Sequence, residues 1–134
     1  MKKTITLLSI LYAATMFSQN FTAATDTPFT GTTDGSAHLV DVDGDGDLDF
    51  FNTGKQGGSE FQGITELYTN DGSGNFTLAV GTPFPGTESA SAAFADFNAD
   101  GDVDLILTGK INDDNDEIAN MYTNDGSGSF TLVV

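Results

Sequence analysis

The chain has 134 residues, 20 of them acidic and four basic, for a formal net charge of −16 at pH 7. Nucleic acid and anionic membranes are held by the basic side chains that are scarce here, so neither is expected as a partner. There is no cysteine, so disulfides take no part in the fold, and the length suits one ordinary domain.

The chain opens with Met1-Lys2-Lys3 and an apolar stretch from Ile5 to Phe17. Two lysines, a hydrophobic run and then small or polar residues form the pattern of a secretory signal peptide. The run is shorter than the roughly 20 residues of a transmembrane helix. Residues 1–18 are therefore read as a leader, cleaved before Gln19, with no membrane insertion afterwards and a secreted or cell-surface destination. Residues 19–134 form the mature part, in which only Lys55 and Lys110 face the 20 acids.

That mature part consists of two copies of one unit, about 21–75 and 76–134. Pro28-Phe29-Thr30-Gly31-Thr32 recurs as Pro83-Phe84-Pro85-Gly86-Thr87, and Thr53-Gly54-Lys55 as Thr108-Gly109-Lys110, both 55 residues on. Tyr68-Thr69-Asn70-Asp71-Gly72-Ser73-Gly74 returns as Tyr122-Thr123-Asn124-Asp125-Gly126-Ser127-Gly128, 54 residues on. A period near 50 signals solenoids or propellers, whose units bury their faces on one another.

Within a unit the first strand is expected over Ser36 to Val42, leading into an acidic loop, and the second over Leu48 to Thr53, apolar enough to be buried on both faces. The third runs from Ile64 to Thr69. Asn-Asp-Gly-Ser-Gly then signals a hairpin, and Phe76 to Val80 is the fourth. In the second unit the same elements fall at Ser91 to Phe97, Val103 to Thr108, Ile118 to Thr123 and Phe130 to Val134. Asn20-Phe21-Thr22-Ala23 is similar to Asn75-Phe76-Thr77-Leu78, which suggests a further strand at the start. No helix signal occurs in the mature chain.

The acidic loops carry the chemistry. Asp41-Val42-Asp43-Gly44-Asp45-Gly46-Asp47-Leu48-Asp49 and Asp96-Phe97-Asn98-Ala99-Asp100-Gly101-Asp102-Val103-Asp104 place oxygen-bearing side chains at positions 1, 3, 5, 7 and 9 and glycine at 6. Calcium takes about 6 to 8 oxygen ligands at about 2.3 to 2.6 Å, and alternating donors and spacers can turn every odd position inward. The glycine permits the positive φ of a sharp turn. Two carboxylates about 4 Å apart repel by about 4 kcal/mol at an effective dielectric of about 20, so a cation is expected in each loop. An EF-hand is excluded by the missing helices and by Asn52 and Leu107 at position 12, where that motif has glutamate.

Catalytic patterns are weak. His38, the one histidine, is replaced by Ala93 in the second unit, so Ser36 with His38 makes a poor nucleophile pair. Glu60, Glu66, Glu88 and Glu117 are not placed by the repeat as a glycosidase pair would be. Asp113, Asp114 and Asp116 read as a solvated loop, and the recurring Lys55 and Lys110 as structural. The chain is expected not to be an enzyme.

Ala95 to Leu105 with Asn124 to Phe130, and Asp41 to Phe50 with Asn70 to Phe76, resemble the FG-GAP or VCBS type of repeat of integrin alpha-chain propellers and many secreted bacterial proteins. The resemblance covers nearly all of the mature chain. It implies an all-β fold of two four-stranded antiparallel propeller blades, each with a structural calcium, Ca2+ at two sites in all. It further implies side-chain ligation by Asp41, Asp43, Asp45 and Asp49 in one loop and Asp96, Asn98, Asp100 and Asp104 in the other, with Asp47 and Asp102 contributing backbone carbonyls. The function it suggests is a protein- or glycan-binding or adhesion module. The alternatives are a non-catalytic propeller part of a larger secreted carbohydrate-active enzyme, or a self-assembling lectin subunit. Propellers close with four to eight blades. Two blades are therefore expected to belong to a longer chain, ahead of a ring of two to four copies or a pair standing alone.

Overall fold

The computed structural model describes residues 21–58, 60, 62–111 and 116–133. The leader, Asp113 and Asp114 lie outside them. All regular structure among the described residues is β. Strands β1 (Thr33–Val40), β2 (Asp49–Lys55), β3 (Gly63–Asn70) and β4 (Phe76–Leu78) form one sheet, and β5 (Glu88–Ala95), β6 (Asp104–Lys110), β7 (Glu117–Asn124) and β8 (Phe130–Leu132) another. Each is an antiparallel meander in sequence order, the arrangement of a propeller blade.

The expected strands are all present, with shifted ends. β1 starts at Thr33 rather than Ser36, because a bulge between these residues lets the chain pair with Lys55 as well as Thr53. Asp34 there takes φ 53°, and Ser89 at the matching bulge in β5 takes φ 48°. Bulges tolerate such conformations by leaving one residue out of the ladder. β4 and β8 end at Leu78 and Leu132, short of the expected Val80 and Val134. Of the suggested additional strand, Asn20 lies outside the described residues, and residues 21–23 are irregular with Phe21 exposed.

The sheets stack through β1, β2 and β5, and aromatic rings fill the seam. Phe51 of β2 meets Phe94 of β5 edge-on, with centroids 5.2 Å apart. Phe84, in the segment that precedes β5, wedges against Phe51 (5.7 Å), Tyr122 (5.1 Å) and Phe130 (5.3 Å). Its counterpart Phe29 sits on Phe50, Tyr68 and Phe76 of the first sheet. The Pro-Phe-x-Gly-Thr segments thus lay a phenylalanine on the same face of each blade. Full burial of such a ring contributes about 1.5–3 kcal/mol, so the half-buried Phe29 and Phe84 contribute less, and edge-to-face contact adds about 0.5–1.5 kcal/mol.

Polar groups close the seam. Thr87 pairs with Ile64 as an isolated bridge, and its buried hydroxyl lies 2.5 Å from that of Thr53 and 2.9 Å from that of Thr65. Ala92 N–H donates to Ser36 Oγ at 3.1 Å. Lys55 pairs with Glu88 at 3.4 Å, which gives the first of the two recurring lysines a structural task. The expectation that second strands are buried on both faces holds for β2. It fails for β6, where Leu105 and Leu107 are buried while Ile106 and Thr108 are exposed.

Candidate metal sites

Each acidic loop joins the first two strands of its blade, so the antiparallel pairing of Val40 with Asp49, and of Ala95 with Asp104, fixes its two ends. Gly46 and Gly101 at position 6 have φ 94° and 102°, the conformation that position was expected to need. Position 4 is also left-handed, Gly44 at φ 73° and Ala99 at φ 65°. The alanine accepts a strain of about 1–2 kcal/mol that glycine escapes.

Within the first loop, carboxylate oxygens of Asp41, Asp43 and Asp49 lie within 4.8 Å of one another. These three come together from positions 1, 3 and 9. Asp45, at position 5, is exposed and its Oδ1 accepts from Asp47 N–H at 2.9 Å. The Asp47 carboxylate turns away to Gly72 in the β3–β4 hairpin, where a β-carbon would run into its Oδ2. In the second loop Asp102 does the same, its Oδ1 2.7 Å from where a β-carbon on Gly126 would stand. Position 7 therefore keeps its side chain out of the loop centre.

Backbone N–H groups hold the carboxylates in place. Asp41 accepts from Gly44 (2.8 Å) and Gly46 (3.0 Å), and Asp96 from Ala99 (2.7 Å) and Gly101 (3.1 Å). Asp43 accepts from Asp45 at 3.3 Å, and Asn98 from Asp100 at 2.8 Å. The asparagine adds a bond that aspartate cannot make, donating from Nδ2 to Asp100 at 2.6 Å.

Position 9 does more than close a loop. Asp49 is fully buried, with Oδ2 accepting from Val42 N–H and Oδ1 from Asn70 N–H, both at 2.9 Å. Asp104, equally buried, accepts from Phe97 (3.1 Å) and Asn124 (3.0 Å). One carboxylate thus ties the acidic loop to the end of the third strand in each blade. Charge-assisted bonds of this kind are roughly twice as strong as neutral ones. Spacing alone marked these residues as candidate ligands and gave no hint of the second task, because the partner lies some 20 residues away.

The crowding leaves an electrostatic mark. Burial pushes the Asp43 carboxyl above its ordinary 3.8; the bond from Asp45 N–H opposes this, and repulsion from Asp49, Asp45 and Asp41 adds to it. An all-oxygen, carboxylate-rich donor set whose members repel suits a hard divalent cation, so the residues present fit calcium. In the hairpins, Asp71 is held below 3.8 by the Asn75 amide and the N–H groups of Ser73 and Asn75. Asp125 is held down by the Ser127 hydroxyl and N–H.

Asp41 through Leu107, half of the chain, match the sequence profile of the FG-GAP-like repeat. The chain belongs to the FG-GAP-like repeat family. The matched span of this FG-GAP-like protein begins at the first residue of one acidic loop and runs through the second loop into β6. No curated protein and no solved structure matches the chain.

Proposed function

We propose that this FG-GAP-like chain is a secreted or surface-displayed calcium-binding propeller segment that binds a protein or glycan ligand, with calcium as a structural element and no catalysis of its own. The observation that carries this is the meeting of Asp41, Asp43 and Asp49 around one point beside the fixed ends of β1 and β2. Asp41, Asp43, Asp45 and Asp49 would hold one ion, with the Asp47 carbonyl, and Asp96, Asn98, Asp100 and Asp104 the other, with the Asp102 carbonyl. Bound calcium supplies positive charge where like charges crowd, and so fixes the turn between the first two strands.

Three of the polar groups weighed for catalysis, Ser36, Glu66 and Glu88, have structural work. Ser36 Oγ accepts from Ala92 N–H, Glu66 accepts from Tyr68 and Thr30, and Glu88 pairs with Lys55. These engagements support a binding module over an enzyme.

Calorimetric titration of the chelated protein with calcium is expected to show two sites per chain, and EDTA to lower the melting temperature. Extracellular calcium modules bind at about 10⁻⁴ to 10⁻³ M, and saturation at about a hundredfold excess stabilises by about 2.7 kcal/mol per site. Melting unchanged by EDTA overturns the metal assignment. Binding to arrayed glycans and extracellular proteins, in calcium and in EDTA, tests the module's partner.

A further inference from the structure

The two blades make one contact with each other, and the internal repeat says which residues at the outer ends would make it again. On the trailing side of the first blade, Val42 and Phe51 are 1% and 0% exposed because the second blade covers them. Their counterparts on the trailing side of the second blade, Phe97 and Ile106, are 37% and 39% exposed. Ala79 packs against the core, whereas its counterpart Val133 is 46% exposed.

The leading sides show the same asymmetry in reverse. Phe94 and Val103 of the second blade pack on the core, while Leu39 and Leu48 of the first blade are 62% and 52% exposed. A β-carbon on Gly128 would touch Val42 Cγ2 at 3.5 Å, and one on Gly86 would collide with the carbonyl of Gly63. Around Gly74 and Gly31, their first-blade counterparts, nothing lies within 4 Å. Asn124 donates across the seam to the Val42 carbonyl at 2.7 Å and within its own blade to Val103; Asn70 makes the second kind of bond, to Leu48 at 3.1 Å.

What is open at one end is therefore the counterpart of what is filled at the seam, and the same holds at the other end. We propose that a second copy of this chain docks head to tail, its Leu39 and Leu48 against Ile106 and Phe97, repeating the contact of Phe94 and Val103 with Phe51 and Val42. The contact is heterologous, so it propagates until a ring closes. At two blades per copy, the four to eight blades of a propeller correspond to two to four copies. The docking depends on the apolar faces and not on the cation assignment.

Light scattering coupled to size exclusion, on the full chain in calcium, is expected to give a mass of two to four chains. Ile106→Asp and Leu39→Asp alter side chains already in contact with solvent, and circular dichroism should show both still folded. Each variant alone should run at the mass of one chain. Mixed in equal amounts they retain one intact face each, and should recover a species of two chains that grows no further. A wild-type mass of one chain at every concentration overturns the proposal, and the open faces then belong to blades outside this chain. Failure of the mixture to recover a pair overturns the head-to-tail geometry.

Discussion

The side-chain amide of Asn124 donates to the backbone carbonyl of Val42 at 2.7 Å, from the end of β7 in one blade to the acidic loop of the other. The same nitrogen reaches the Val103 carbonyl at 3.1 Å, so one buried group serves the seam and its own blade together.

Replacing it should be costly. Asn124→Ala leaves two carbonyls without this donor and is expected to destabilise by about 1–3 kcal/mol, the range for buried polar groups stripped of a partner. Asn70→Ala strips its donor from one carbonyl, that of Leu48, in a more exposed setting, and should cost about 0.5–1.5 kcal/mol. Urea denaturation of the two variants side by side measures the difference.

Asp49 and Asp43 should respond to substitution in opposite ways. Asp49→Asn sets an NH2 group against either Val42 N–H or Asn70 N–H, and should destabilise by about 1–3 kcal/mol with or without calcium. Asp43→Asn removes a carboxylate that burial and its neighbours oppose, and should raise the melting temperature in EDTA while weakening calcium uptake. A folded pKa above the ordinary value means that the stability tied to it is complete at pH below that value and is lost as pH rises through the raised one. In EDTA the wild type should lose that stability in this window, and Asp43→Asn should not.

The hairpins carry the reverse dependence. Asp71 and Asp125 have lowered folded pKa values, so their contribution is present above the ordinary carboxylate pKa and lost as pH falls through the lowered one. Carboxyl titration by NMR should find both below 3.8. Asn75→Ala should bring Asp71 back up and leave Asp125 where it was.

Thr87 tests the seam away from the loops. Thr87→Val keeps the shape and removes a buried hydroxyl from beside Thr53 and Thr65, and is expected to cost about 1–3 kcal/mol in urea denaturation. Thr32→Val, one repeat earlier, loses a single part-buried bond to Asn52 and should cost less.

The strands and both loops were legible because a period of 54–55 residues states everything twice. Glycine at position 6 and the Asn-Asp-Gly-Ser-Gly hairpins encode positive φ locally, where residue type decides conformation. The bulges at Asp34 and Ser89 were not legible: serine has no leaning toward a left-handed backbone, and the modest one of Asp34 is shared by every aspartate in the chain. The family resemblance set position 7 apart as a backbone-carbonyl position, but the place its side chain takes, against Gly72 of another hairpin, has no signature in the loop itself. The long-range bonds of Asp49 and Thr87 arise from folding and have no local signature. Burial of Ile106 and Thr108 was expected because the second strands are dense in apolar residues, and in β2 the matching Phe51 and Thr53 are indeed buried. The exposure of Ile106 and Thr108 reflects what stands next to the blade rather than their own composition.

The bonds that Asp49 already receives from Val42 and Asn70 bear on how an ion would arrive. Both bonds run to backbone N–H groups and call for no ion, so they can hold the rim of the loop by themselves and leave little chain to be ordered on entry. Uptake should then be rapid, with a heat dominated by the shedding of water from the ion, and the ion's departure should leave the strands standing with only the turn loosened.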